Sequence, residues 1–171
     1  MSWHTPLAAG LVLASLAATT GIADAQSRAH VEVDQRGRDN GVSGRFDGRW
    51  NRARLNQRGR DQVVGAIQQG FRNRLDIDQR GRDNGASAYQ SGAGNRLLTR
   101  QFGNDLSGSV YQSGNGNLVG VAQLGEGHRA TTVQEGNGNV LGVLQIGSGQ
   151  HTTYHQIGDG NADVVVQFGW D

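Results

Sequence analysis

The stretch Asn139-Val140-Leu141-Gly142-Val143-Leu144-Gln145-Ile146-Gly147-Ser148-Gly149 decides the fold. Between Asn139 and Gln145 the residues fall into two alternating sets, Asn139, Leu141, Val143 and Gln145 against Val140, Gly142 and Leu144. A period of two belongs to a β-strand, whose successive side chains leave opposite faces of the pleat. Ile146-Gly147-Ser148-Gly149 then reads as a turn, with Gly supplying positive φ. The stretch therefore predicts a seven-residue strand followed by a four-residue turn.

Stepping outward by eleven residues turns this one stretch into a register. Its Gln belongs to a column made of Gln35, Phe46, Gln57, Gln68, Gln79, Gln90, Gln101, Gln112, Gln123, Gln134, Gln145, Gln156 and Gln167. Two residues after each member stands a glycine without exception: Gly37, Gly48, Gly59, Gly70, Gly81, Gly92, Gly103, Gly114, Gly125, Gly136, Gly147, Gly158 and Gly169. Five residues after every second member come Asn51, Asn73, Asn95, Asn117, Asn139 and Asn161, so the true unit is twenty-two residues. The alternate positions are looser: Asn40, Gln62, Asn84, Leu106, His128 and Gln150. Six units occupy residues 40–171, preceded by a half-unit at 26–39. Eleven residues also make three turns of a helix in a right-handed supercoil. A glycine in every period excludes that on propensity.

On a strand reading, Asn117, Val119, Val121 and Gln123 share the inward face. Inward amides look misplaced until identical ones sit above each other at the strand spacing of about 4.8 Å, where they hydrogen-bond in ladders along the stack. The composition needs such a device. With 35% hydrophobic residues, 28 Gly, one Pro and no Cys, the chain is lean for a conventional core and has neither disulfides nor thiolate metal sites. A formal net charge of +1 leaves little self-repulsion to hold it open. The predicted fold class is all-β: a β-solenoid of stacked strand-turn-strand repeats with cross-β character.

Residues 90–101 (Gln90-Ser91-Gly92-Ala93-Gly94-Asn95 through Gln101) and 112–123 (Gln112-Ser113-Gly114-Asn115-Gly116-Asn117 through Gln123) resemble the curlin repeat, Ser-x5-Gln-x-Gly-x-x-Asn-x-Ala-x3-Gln. The resemblance extends from about residue 30 to the end. It departs from the family in the leading Ser, in Phe46, in having six units where about five are familiar, and in lacking the Gly-rich targeting segment of a major curlin. The resemblance implies a subunit of extracellular amyloid fibres, major or nucleating, that mediates adhesion and biofilm matrix formation. It implies as partners the chain itself, another curlin subunit and a curli-type outer-membrane secretion machinery.

The N-terminus is consistent with export. An apolar run from Leu7 to Ala18 precedes Ala23-Asp24-Ala25, which fits a signal-peptidase site and predicts a mature start at Gln26. The run is too short to span a bilayer, and no membrane anchor is read in the mature chain.

All sixteen basic residues are Arg, and the charge is polarised. Residues 26–100 hold fifteen Arg against eight acids, whereas residues 101–171 hold Arg129 against six acids. Such a dipole along the stack favours head-to-tail association, although the same charges also serve as solubilising gatekeepers. Gln-Arg-Gly-Arg-Asp recurs at 35–39, 57–61 and 79–83, stacking Arg36, Arg58 and Arg80 on one edge, with Asp39, Asp61 and Asp83 expected to neutralise them. A solvated turn is the simpler account; an Arg ladder that holds extracellular DNA or acidic polysaccharide is the functional one. Outward positions change from Arg52, Arg54, Arg74 and Asp76 early to Val140, Leu144, Val164 and Val166 late, which marks the C-terminal units as the more aggregation-prone.

No enzyme, metal or cofactor is predicted. His151 and His155 would sit about 13 Å apart on a strand, too far to share an ion. His128 occupies an Asn column and reads as a substitute in the ladder. The Gly-rich turns lack a following helix and Gly-Lys-Ser/Thr. The competing reading is a soluble secreted β-solenoid that binds ice or glycan, which would require capped ends. No cap is evident in the terminal Asp163–Gln167 segment.

Overall fold

Each eleven-residue period folds into one strand. The computed structural model describes residues 29–169; the expected export segment and Trp170 lie outside the described residues. The first seven strands are β1 (His30–Arg38), β2 (Gly41–Arg49), β3 (Arg52–Arg60), β4 (Val63–Phe71), β5 (Arg74–Arg82), β6 (Gly85–Ala93) and β7 (Arg96–Asn104). They continue as β8 (Ser107–Asn115), β9 (Leu118–Glu126), β10 (Arg129–Asn137), β11 (Val140–Ser148), β12 (His151–Ile157) and β13 (Ala162–Gly169). The odd strands make one seven-stranded sheet in the order β1-β3-β5-β7-β9-β11-β13, and the even strands a six-stranded sheet. All pairs are parallel and in register at twenty-two residues, as in Gln101↔Gln123 and Gly103↔Gly125. Consecutive strands thus lie in opposite sheets, and two strands complete one coil of a β-solenoid.

The strands are longer than the alternation alone predicts, nine residues with two-residue connections through most of the chain. The Gly column explains the difference, because Gly103 bends the chain with φ of 145° yet stays paired with Gly125. The reversal is then completed at the next connection, where Asp105 has φ of 53°. The column is invariant for a second reason. A Cβ on Gly125 would stand 1.8 Å from the Gly147 carbonyl oxygen of the coil above, closer than any side chain permits.

The first residue of each connection is left-handed. Asp39, Asp61, Asp83 and Asp105 tolerate that conformation, but Trp50 (φ 62°) and Arg72 (φ 55°) adopt it at a cost of about 1–2 kcal/mol. The later two-residue connections use Gly94, Gly116, Gly127, Gly138 and Gly149, and the longer last connection has Gly160 as its left-handed residue before Asn161. Local backbone strain is thus concentrated in the N-terminal coils.

The core is a thin double row between the sheets. The odd sheet contributes columns such as Leu55, Ile77, Val121 and Val143, while the even sheet contributes smaller side chains such as Val64, Ala66, Ala88 and Val110. Burial of each Leu or Ile stabilises by about 1.5–3 kcal/mol, so these rows supply real but limited cohesion. The amides fill the remainder.

Candidate functional site

The inward Gln side chains form two continuous ladders. In the odd sheet Gln57 donates from Nε2 to Gln79 Oε1 (2.9 Å), Gln79 to Gln101 (2.7 Å), Gln101 to Gln123, Gln123 to Gln145 and Gln145 to Gln167 (each 2.8 Å). In the even sheet Gln68 donates to Gln90, Gln90 to Gln112 (both 2.8 Å), Gln112 to Gln134 (2.9 Å) and Gln134 to Gln156 (2.7 Å). Every donation runs toward the C-terminal end. The second Nε2 proton crosses the core to a backbone carbonyl at the start of a strand in the facing sheet, as from Gln101 to Gly85 O (2.9 Å) and from Gln123 to Ser107 O (3.0 Å). Each Gln therefore joins two coils and two sheets at once.

The Asn column works differently from the amide-to-amide stack read from the sequence. Asn95 Nδ2 donates to Ser91 O (2.9 Å) in its own bend and to Gly114 O (2.7 Å) in the next coil, while its Oδ1 accepts the Asn117 backbone N–H (3.0 Å). Asn51, Asn73, Asn117 and Asn139 repeat this three-way link. Asn161, half-buried in the connection just before the last strand, donates within its own bend to Ile157 O (3.3 Å) and receives nothing from a further coil among the described residues. The shorter Asn side chain reaches the bend backbone rather than its neighbour's amide. Asn clamps bends; Gln ties strands. The turn glycines Gly92, Gly103, Gly114, Gly125, Gly136, Gly147 and Gly158 all have positive φ, and several supply the carbonyls that Asn binds.

His128 reproduces two of the three Asn links with a ring. Its Nε2 lies 3.0 Å from Leu124 O, and its Nδ1 accepts the Gln150 N–H at 3.2 Å. This geometry requires the Nε2–H tautomer. Leu106 in the same column makes no such link, and Gln62 leaves its buried Oε1 without a partner. Phe46 interrupts the even ladder, so that Gln68 Oε1 is also buried and unpartnered. The Phe46 ring folds over Gly44, where a Cβ would meet it at 2.6 Å.

On the outer surface of the odd sheet the basic residues form registered columns, Arg36 beside Arg58 beside Arg80, and Arg52 beside Arg74 beside Arg96. Their acidic partners are not those of the bends. Arg36 pairs with Asp34 (3.2 Å) and Arg80 with Asp78 (3.0 Å), two residues earlier on the same strand face, while Asp39 and Asp83 occupy left-handed bend positions. Arg54–Glu32 (3.0 Å) and Arg100–Asp76 (2.8 Å) link neighbouring strands. Arg80 also lies over Phe102, 4.8 Å from the ring centroid. Further along this sheet the surface becomes apolar, with Val140, Val164, Val166 and Phe168 exposed. His151 and His155 are both exposed on β12.

The outer edges of β1 and β2, and of β12 and β13, carry no further strand among the described residues. At the second of these ends lies a feature the sequence reading missed. Asp163 holds an inward position, in register with Leu141 and in a column that continues to Val119 and Leu97. Its Oδ2 accepts from Gln156 Nε2 at 2.8 Å, and its carboxylate near the Tyr154 hydroxyl holds the Tyr154 pKa above its ordinary value. The alternation did contain the signal, since Asp163 follows Asn161 by two residues.

Among the described residues no three His, Cys, Asp or Glu side chains gather into a metal-binding group, and no helix is long and apolar enough to cross a membrane. The sequence pattern of the curlin associated repeat matches residues 70–103 and 103–136, from the end of β4 to the end of β10. No curated protein and no solved structure matches the chain.

Proposed function

We propose that this chain, a member of the curlin-repeat family, is a structural subunit that polymerises into extracellular curli-type fibres serving adhesion and biofilm matrix. One observation carries the reading. Identical residues pair in register through two parallel sheets, the arrangement of cross-β stacks, and among the described residues the outer edges of the terminal strands have no partner strand. A strand added at either end extends hydrogen-bond rows that are already in place. The basic N-terminal half and acidic C-terminal half favour addition in one orientation.

In this reading the chain leaves the cell through curli-type outer-membrane secretion machinery and meets copies of itself and a second curlin subunit at the surface. The Arg columns of the odd sheet are suited to polyanions such as extracellular DNA or acidic polysaccharide, because they repeat one positive charge per coil on a single face. The test is incubation of the purified chain at micromolar concentration, followed by thioflavin fluorescence and fibre diffraction. Fibres with a reflection near 4.8 Å are expected. A chain that stays monomeric for days and melts cooperatively refutes the fibre reading and favours a soluble solenoid that binds ice or glycan.

A further inference from the structure

The two ends of the even Gln ladder are not equivalent. Gln68, Gln90, Gln112 and Gln134 each give an Nε2 proton to the Gln of the next coil, but Gln156, the last member, gives it to Asp163. The acceptor that a further coil would provide is already replaced by a carboxylate from the facing sheet. That carboxylate stands where every coil from β3 to β11 places Ala, Leu or Val. An inward charge on an edge strand is a known obstacle to strand addition.

We propose that Asp163 is an acid-released cap, which holds the C-terminal edge closed to a second copy of this chain while ionised and opens it on protonation. The inference rests on the fibre reading above and specifies where and how growth is controlled. Two effects act in the same direction. A strand laid on β13 removes the carboxylate from water, which disfavours its charged form. An ionised acceptor also holds the Gln156 amide about twice as strongly as a neutral one, so the ladder cannot pass to an incoming amide until the charge is removed. Covering the edge therefore takes up one proton from solvent, and addition strengthens as pH falls through the carboxylate range.

The surroundings leave Asp163 as the one carboxylate that faces the inward side of this edge among the described residues. From β12, Tyr154 faces it, and the carboxylate raises the Tyr154 pKa. From β11 its neighbours are Leu141 and Val143, which carry no charge. His151 and His155 sit on the outer face of β12, and Asp159 lies in the bend, where it accepts from Asn137. The remaining acids oppose the effect, because neutralising them at low pH raises the net positive charge and slows association.

The experiment is seeded elongation of the purified chain between pH 7.5 and pH 3.5, with Asp163→Asn, Asp163→Leu and, as a charge control, Asp105→Asn. The unaltered chain and the control should elongate faster as pH falls, by up to about tenfold per unit across the titration. At pH 7.5 Asp163→Leu should exceed Asp163→Asn, which should exceed the unaltered chain by about fivefold or more, and neither variant should keep the acid acceleration. An unaltered chain that polymerises while both variants share its rate and pH profile overturns the cap. Absence of fibres from every protein at every pH overturns the fibre reading instead. In that event the monomer decides the cap: the Gln156 side-chain amide resonances should titrate in acid and lose that titration in Asp163→Asn, and a static signal overturns it.

Discussion

Gln101 offers the sharpest measure of what an inward amide contributes. Replacing it with Ala removes the acceptor of Gln79 Nε2 (2.7 Å), the donor to Gln123 Oε1 (2.8 Å) and the donor to Gly85 O (2.9 Å), all at a site with 0% exposure. Gln79 keeps its bond to Val63 O, and the Gly85 carbonyl is a backbone acceptor with a second lone pair. The unrelieved loss falls on the Gln79 proton and on Gln123 Oε1. Two buried groups at about 1–3 kcal/mol each give about 2–6 kcal/mol, before any cavity is counted. Against a typical domain stability of about 5–15 kcal/mol, that is a large share. The outward substitution Thr153→Ala on β12, at an exposed position, should cost within about 0.5 kcal/mol. The assay is the urea midpoint for fibre dissociation together with the lag time of unseeded assembly. Gln101→Ala and Gln145→Ala should lower the midpoint and lengthen the lag markedly, whereas Thr153→Ala should change neither. Equal values for inward and outward substitutions would show that the ladders do not hold the coils together.

Three further outcomes follow from the same geometry. Gly125→Ala should abolish ordered assembly, since its Cβ would lie 1.8 Å from a backbone oxygen, while Gly120→Ala, with nothing within 4 Å, should assemble normally by thioflavin kinetics. Phe46→Gln alone should change the urea midpoint little, because the donor gained by Gln68 is offset by space left over Gly44; Gly44→Ala with Phe46→Gln should be more stable than the sum of the single changes, with a coupling of about 0.5–3 kcal/mol. Arg72→Gly should stabilise by up to about 1 kcal/mol, read as a higher urea midpoint, by relieving a left-handed residue, less whatever the Arg72–Phe71 contact at 4.8 Å contributes.

Much of this molecule is legible along the chain because its decisive interactions repeat at a fixed interval. The alternation within Asn139–Gln145 determined which side chains point inward, and the twenty-two-residue repeat determined that each residue meets its own counterpart in the next coil. Both are consequences of backbone geometry and need no knowledge of the facing sheet. What lies across the core was decided only by the tertiary structure. Gln reaches the amide above it while Asn, one methylene shorter, reaches bend carbonyls, and only the spacing of folded coils selects between them. Arg36 and Arg80 likewise find Asp34 and Asp78, because the bend turns Asp39 and Asp83 into left-handed positions while same-face residues stay adjacent. Asp163 was visible as an inward residue by alternation. Its contact with Gln156 arises only because the two sheets bring the ends of β12 and β13 together, which no local pattern records.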